Sequence, residues 1–566
     1  MESDPWLANY APGVDWGAEL PTGPLWELLD NAVARFGRRP CIDFLDRKFT
    51  YAQVGAMVDR AARGFQALGV GKGVKVGLFL PNCPQFLIAY YAVLKAGGTV
   101  VNYSPLYSVD QLLHQIEDSD TTLMVTLNLE SLYPKMEQLL HESRLQALIV
   151  GNLPEVLPFP KNLLFRLFKR KLFVDVPNDP RHLSFQELMN NEGDHAPIEV
   201  DPFGDVAVLQ YTGGTTGVSK GAMLSHANLY ANTVQTALWN PDLVPGEERC
   251  MGVLPFFHVF AMTVVMNMSV HIGAEIVMHP RFVLDDVLRD IPRKRPTLMP
   301  GVPTMFNAIA NHPRVGEVDL TSIASCISGG APLPVDVKQR FEALTGAVVF
   351  EGYGLTEASP VCTCNPMKGA NKAGSIGQPV PGTRIVIVDR DDPSREMPPG
   401  EAGEICIEGP QVMLGYWQRP EATTEVLSGG RLRTGDVGYL DDEGFTFIID
   451  RIKDLVLVGG FNVFPRHVEE AIYLHPAVAE VTVIGIPDDY SGQAVKAFVK
   501  AQPGAPMTAE ELTEFLRPRL GRHEMPKEIE FRDELPKTMV GKLSKKELVA
   551  EEEAKYRARK ATQEPA

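Results

Sequence analysis

Residues 211–223 read YTGGTTGVSKGAM and follow the apolar run DVAVLQ at 205–210. Gly213, Gly214 and Gly217 let backbone N–H groups turn inward, forming a concave nest for anionic oxygens. Thr212, Thr215 and Thr216 add hydroxyl donors or a metal contact, and Lys220 adds a mobile positive charge. The spacing is not that of the G-x-x-x-x-G-K-[ST] loop, because Val218 and Ser219 separate Gly217 from Lys220. A plain Gly/Thr surface turn is the competing reading. The preceding buried strand and three further chemistry-bearing segments downstream weigh against it.

The second segment is EGYGLTEAS at 351–359. Gly352 and Gly354 flank Tyr353, an aromatic ring suited to a flat adenine, and the Glu357 carboxylate suits Mg²⁺. By itself Glu357 could equally cap a helix. The third segment is RTGDVGYLDDEGFTFIIDRIKDLVLVGGFNVFP at 433–465. Asp436 follows a Thr-Gly turn, where a carboxylate can accept from both hydroxyls of a ribose. A simple turn aspartate is the alternative. The fourth is LPKTMVGKLSKKEL at 535–548, in which Lys542 by composition is one lysine at a basic helix start.

In this order and spacing the four segments resemble the adenylate-forming superfamily of acyl-CoA synthetases, luciferases and peptide-synthetase adenylation domains. The likeness covers about residues 25–550, and GPQVMLGYWQRPEAT (409–423) and FNVFP are most similar to bacterial long-chain fatty acid–CoA ligases. The resemblance implies that the 212–217 loop holds the β- and γ-phosphates of ATP. It implies that Glu351, Gly352, Tyr353 and Gly354 surround adenine, with Tyr353 stacked on it. SGGAPL (328–333) looks like the adenine-edge loop, placing Gly329, Gly330 and Ala331 there. Glu357 and Thr212 would hold Mg²⁺, with Thr356 beside them in the catalytic set. Asp436 and Arg451 would hold ribose, and Lys453 would be the pivot between domains. Gly459, Gly460 and Phe461 would enter the site for the second half-reaction, and Lys542 would be catalytic for adenylation.

The activity so implied joins a carboxylic acid to AMP with release of pyrophosphate, then exchanges AMP for the thiol of CoA. A long-chain fatty acid is the favoured substrate. Medium-chain, dicarboxylic and aromatic acids are the alternatives, and a non-catalytic acyl-binding or uptake protein is a remote one. Several residues depart from the family pattern. Gly213 and Ser219 stand where many members have Ser and Pro. Arg431 stands where long-chain members usually carry Trp, and Lys545 and Lys546 replace arginines. Met262 sits where some long-chain enzymes have a gating Trp. The first two remove no phosphate donor that the backbone could not supply, and the others bear on acyl chain length rather than on adenylation. The acyl path is expected in LPFFHVFAMTVVMNMSVHIGAEIVM (254–278), read as a buried helix and strand, with His258 where acid and thiol meet.

Positioning such segments needs a large scaffold, and 566 residues are enough for several units. From about 24 to 200, helical and strand patterns alternate, which argues for an α/β fold with mixed, largely parallel sheets. Residues 380–450 carry short alternating runs between Pro/Gly turns, the pattern of a β-rich subdomain. We therefore expect an N-terminal domain over 1–450 and a small mobile α+β lid domain over 451–566.

A net charge of −17 argues against nucleic acid as a partner. The acidic N-terminus lacks secretory-signal order, and no apolar run approaches the roughly 20 residues that span a bilayer. Seven scattered cysteines without a CxxC suit a reducing cytoplasm. The segment KNLLFRLFKRKLF (161–173) stands apart. Its apolar helical face and crowded cations are expected either to touch the inner face of an anionic membrane peripherally or to form an ordinary basic surface helix. A homodimer is left open.

Overall fold

The computed structural model describes residues 4–212, 219–458, 461–488, 491–502, 504–538 and 543–563. The alternating N-terminal pattern forms an eight-stranded sheet. Its order is Gly415–Tyr416, Lys220–Ser225, Val206–Thr212, Thr99–Asn102, Lys75–Leu78, Thr121–Leu127, Ala147–Gly151 and His182–Ser184. The last six strands run parallel, and the first two are antiparallel additions. The Pro84–Lys95 helix is buried from Pro84 to Leu94, so its apolar residues surround it rather than forming one stripe. Pro84 opens this helix where no backbone donor is needed.

A four-stranded sheet holds Arg249–Gly252, Glu275–Met278, Pro40–Phe44 and Arg47–Thr50. Another holds Ser325–Ser328, Val348–Gly354, Val361–Cys364 and Gln378–Pro379. Leu298 bridges to both Cys250 and Ser325 and links the two. The helix that follows Arg249–Gly252 in the chain has an unexpected middle. Val259–Ala261 and Met268–Ile272 are α-helical, but Met262–Asn267 is π-helical and fully buried. Such widened turns need side-chain support. Here Thr263 donates to the Ser359 carbonyl at 2.6 Å, and Asn267 pairs with the hydroxyls of Tyr90 and Tyr91.

The 380–450 region is an antiparallel sheet of Arg384–Val388, Gly403–Glu408, Arg431–Leu440 and Leu427–Ser428, with Thr446–Arg451 paired to Arg431–Leu440. Beyond it, Val456–Val458, Phe461–Val463, Val478–Asp488, Gly492–Ala501 and Glu528–Phe531 form a separate sheet. The helices Pro465–Tyr473, Ala509–Leu516 and Lys545–Gln563 belong to the same region. One large apolar core runs from Trp6 to Leu440, and two others lie wholly within 456–548. Among the described residues no helix is long and apolar enough to cross a membrane.

Candidate active site

The strands Ser325–Ser328 and Val348–Gly354 are parallel neighbours, with Ser328 opposite Glu351. Their C-terminal ends therefore deliver Gly329–Ala331 and Glu351–Gly354 to one edge, where open α/β sheets bind ligands. Gly330 has φ +79°, a conformation that suits glycine. At Gly354 a Cβ would lie 2.0 Å from the Pro360 carbonyl oxygen, so only glycine lets this turn close.

The Tyr353 hydroxyl donates to Asp436 Oδ2 at 2.6 Å, and Arg451 Nε donates to Asp436 Oδ1 at 3.1 Å. Strand register explains the second contact, because Asp436 and Arg451 face each other across the Arg431–Leu440 and Thr446–Arg451 pair. Burial, reinforced by Asp436, pushes the Tyr353 phenol far above its ordinary value and keeps it a donor. Burial opposes the Arg451 charge, but Asp436, Asp454 and Tyr353 together more than offset it. Each Asp436 oxygen keeps a second lone pair, so the carboxylate can still accept from two ribose hydroxyls.

Thr212 and Lys220 are register partners in a β-hairpin, and the Ser219 hydroxyl donates to the Thr212 carbonyl at 2.6 Å. This closes the neck of the candidate phosphate loop. Gly213, Gly214, Thr215, Thr216 and Gly217 themselves lie outside the described residues. Lys220 Nζ sits 5.1 Å from the centre of the Tyr416 ring, a cation–π distance. The Tyr416 hydroxyl in turn donates to Glu357 Oε1 at 2.7 Å. Glu357 lies on the short Thr356–Ala358 turn directly after Tyr353–Gly354, and its carbonyl accepts from the Met413 N–H.

Among the described residues no cluster of three or more His, Cys, Asp or Glu side chains could cage a metal. Mg²⁺ in phosphate chemistry uses one or two carboxylates plus phosphate oxygens and waters. Glu357 fits that role: Tyr416 fixes Oε1, and no hydrogen bond among the described residues takes Oε2.

A cleft of about 1910 Å³ runs between the two lobes. Its walls include Ala331, Tyr353, Asp436 and Lys453 on one side and Arg466 and Lys545 on the other. Burial pushes the Glu351 carboxyl up to about 7, against the opposing pull of Arg466, the Leu333 N–H and Lys338. Lys453 lies on the Ile452–Asp454 turn between the lobes. Beside it, Asp450 accepts from the N–H groups of Arg451 and Arg466, tying the turn to the Pro465–Tyr473 helix. Lys545 pairs with Glu469 at 3.1 Å, and Phe461 is exposed. Gly459, Gly460 and Lys542 lie outside the described residues.

Part of the 254–278 segment lines a small cavity. This cavity of about 30 Å³, the volume of a single water, is lined by Trp239, Val264, Met268, Ile327 and Phe350. Met262 is not in that lining; it is fully buried, with its sulfur accepting from Asn102. Val264, within the π-helical turn, and Met268, just after it, are the residues of 254–278 in that lining. His258 caps the following helix, its Nδ1 accepting from the Phe260 N–H at 3.3 Å. Arg431 bridges Glu408 and Glu396 on the β-rich sheet. Tyr416, Ser219, Arg466 and Lys545 had no assigned role in the sequence. Tyr416 was signalled only by its place in GPQVMLGYWQRPEAT.

Family models decide the relationship. Residues 29–417 match the AMP-binding enzyme model, and residues 467–542 match the AMP-binding enzyme C-terminal domain. The chain belongs to the AMP-binding enzyme family. Within it, a long-chain-fatty-acid–CoA ligase of Bacillus subtilis is 44% identical over 551 residues, covering 97% of this chain and 98% of that protein. A feruloyl-CoA synthase of an Amycolatopsis species is 36% identical over 501 residues, covering 88% and 93%. Among solved structures, o-succinylbenzoate coenzyme A synthetase (MenE) from Bacillus subtilis, in complex with ATP and magnesium ion, aligns with TM-score 0.76 at 28% identity. That alignment covers 94% of this chain and 100% of the other. The separate small region beyond residue 456 agrees with the second family model.

Proposed function

We propose that this AMP-binding enzyme is an ATP-dependent long-chain fatty acid–CoA ligase. The observation that carries the reading is two contact sets, Arg451–Asp436–Tyr353 and Glu357–Tyr416–Lys220, brought together by the short stretch of backbone from Tyr353 to Glu357. We assign the first set to the ribose end of a nucleotide and the second to its triphosphate end. The long-chain preference rests on the identity to the Bacillus subtilis ligase along nearly the whole chain.

In the first step a carboxylate oxygen bonds to the α-phosphorus, the α–β bridging bond breaks, and pyrophosphate leaves. Two anions must approach, and preorganised donors offset their repulsion. Tyr353 orients the base, Asp436 and Arg451 fix the ribose, and Lys220 with the loop amides binds the phosphates. Glu357 and Thr212 would hold Mg²⁺, which when bound neutralises phosphate charge. We assign Lys542 to the incoming acid and the α-phosphate. In the second step the CoA thiolate bonds to the acyl carbon and AMP leaves with its electron pair. We place the domain boundary at 450/451, with Lys453 as the pivot that exchanges Lys542 for the 459–461 segment. Separate apolar cores on the two sides support that placement.

An aromatic-acid ligase is the second reading, favoured by the feruloyl-CoA synthase relative and by aromatic walls at Trp239 and Phe350. Pyrophosphate release across an acid panel with Mg²⁺, ATP and CoA separates the two. Acyl-CoA formed fastest from long-chain acids supports the first reading, and preference for hydroxycinnamates supports the second. Release of phosphate in place of pyrophosphate refutes both.

A further inference from the structure

The helix Lys161–Phe168 and the turn Arg170–Leu172 sit far along the chain from every site residue, and they are fixed to the body on one side. Phe165 packs its ring against Phe173 with centroids 5.9 Å apart, and Lys161 donates to the Leu45 carbonyl at 3.1 Å. The far end is tied down as well, because Glu130 N–H donates to the Leu172 carbonyl and Val174 N–H to the Asn128 carbonyl. Phe165 thus supplies the inward face. The outward face carries Leu163, Leu164, Leu167 and Phe168, with Phe159 beside them. Leu167 is 73% exposed, and Phe159 and Phe168 are each 78% exposed. Anchoring at both ends prevents these side chains from turning inward, so water meets an apolar ridge without a protein partner. Contiguous ridges of this kind mark interaction sites.

Charge says what the ridge meets. Between Pro158 and Val174 there are five cations and no carboxylate, in a chain of net charge −17. Lys169, Arg170 and Lys171 are exposed and make no ion pair among the described residues. Apolar side chains next to unpaired cations match the layered chemistry of an anionic lipid surface, acyl chains beneath phosphate headgroups. An acidic protein groove would satisfy the cations but would set the exposed Leu and Phe side chains against charge. We propose that this segment is a peripheral docking site for anionic membrane, with Leu167 and Phe168 inserted and Lys169, Arg170 and Lys171 on the headgroups.

The test is co-sedimentation of the full chain with phosphatidylcholine vesicles, with and without phosphatidylglycerol. Binding is expected only with phosphatidylglycerol, and added salt should release it. Each cation near the surface contributes about fivefold in partitioning, so Lys169→Ser, Arg170→Ser and Lys171→Ser together should weaken binding about a hundredfold. Leu167→Ser with Phe168→Ser should abolish it while leaving pyrophosphate release from a water-soluble acid unchanged. Absence of binding to phosphatidylglycerol vesicles at low salt overturns the proposal. Equal binding to neutral vesicles does so too, as does a cation-free variant that binds like the wild type. If the serine pair instead dissolves a dimer in analytical ultracentrifugation, the ridge is an interface between copies and the proposal fails. Vesicle binding is read without nucleotide, so its failure leaves the ligase reading intact.

Discussion

The Tyr416 hydroxyl donates to Glu357 Oε1 at 2.7 Å while the same ring lies 5.1 Å beneath Lys220 Nζ. One side chain thereby orients both the carboxylate proposed for Mg²⁺ and the cation proposed for phosphate. Tyr416→Phe keeps the ring and removes the donor. A hydrogen bond to a charged group is worth about 1.5–3 kcal/mol. Pyrophosphate release should therefore fall roughly 10- to 100-fold, with a raised Mg²⁺ requirement. Tyr416→Leu also removes the cation–π contact and should fall further. Equal rates for wild type and Tyr416→Phe would show that Glu357 does not depend on this donor.

Asp436 accepts from Tyr353 and pairs with Arg451, so the three act as a unit. Asp436→Ala removes the first of the carboxylates that compensate Arg451 and the acceptor of the half-buried Tyr353 phenol. ATP affinity measured by calorimetry should drop at least tenfold. In a double-mutant cycle, Tyr353→Phe should cost little more once Asp436 is already alanine. Additive losses would mean that the two residues meet the nucleotide independently.

Glu351 carries a pH signature. Its carboxyl is raised from 4.5 to about 7, chiefly by burial. Between those values the folded chain holds a proton that the unfolded chain has lost. Its contribution is thus present in full below about 4.5 and is lost as pH rises through about 7. A shift of that size corresponds to roughly 3 kcal/mol. Glu351→Gln cannot ionise. Its melting temperature should gain on the wild type as pH climbs from 4.5 to 7 and hold that gain above. A constant difference between the two melting curves would show that Glu351 ionises as an ordinary carboxylate.

Much of this site was legible because its parts are short, contiguous and rich in glycine. Tyr353, Glu357, Asp436 and Lys220 each stand inside a segment whose backbone geometry their neighbours dictate. The β-rich region was visible for a similar reason, since alternation in RIVIVD and EICIEG is local. What stayed hidden is what depends on residues far apart in sequence. Nothing near Tyr416 announces Glu357, 59 positions away, and nothing near Arg466 announces Glu351. The π-helical turn was equally invisible. Its support comes from Tyr90, Tyr91 and Ser359, on other elements, and nothing in 254–278 signals which of its side chains face the small cavity.

We take that small cavity as the start of the acyl path. A cavity of about 30 Å³ cannot take an alkyl chain unless its walls move, and Met268 is its most adaptable wall. Val264→Phe adds bulk to a packed lining, which costs about 1–3 kcal/mol where the space is needed. In the acid panel, kcat/KM for long-chain acids should fall about 10-fold or more while short acids are unaffected. A uniform loss across chain lengths would place the acyl path elsewhere.

Lys542 is the sharpest test of the two-step reading. The chain just beyond it is held by Lys545, whose charge is kept despite burial by Glu469, Asp450 and Asp454 around the Lys453 turn. The same cluster that anchors the segment thus sits at the proposed pivot. If Lys542 serves only the first step, Lys542→Ala should cut acyl-AMP formation about 10²–10³-fold, the usual loss for one preorganised charge. Conversion of supplied acyl-AMP and CoA to acyl-CoA should continue at the wild-type rate. Lys545→Met, which loosens the anchor without touching substrate, should slow both half-reactions to a similar degree, because the pivot serves each in turn. Equal loss of both steps in Lys542→Ala would contradict the exchange of Lys542 for the 459–461 segment, and a single fixed arrangement of the lobes would then have to account for both reactions.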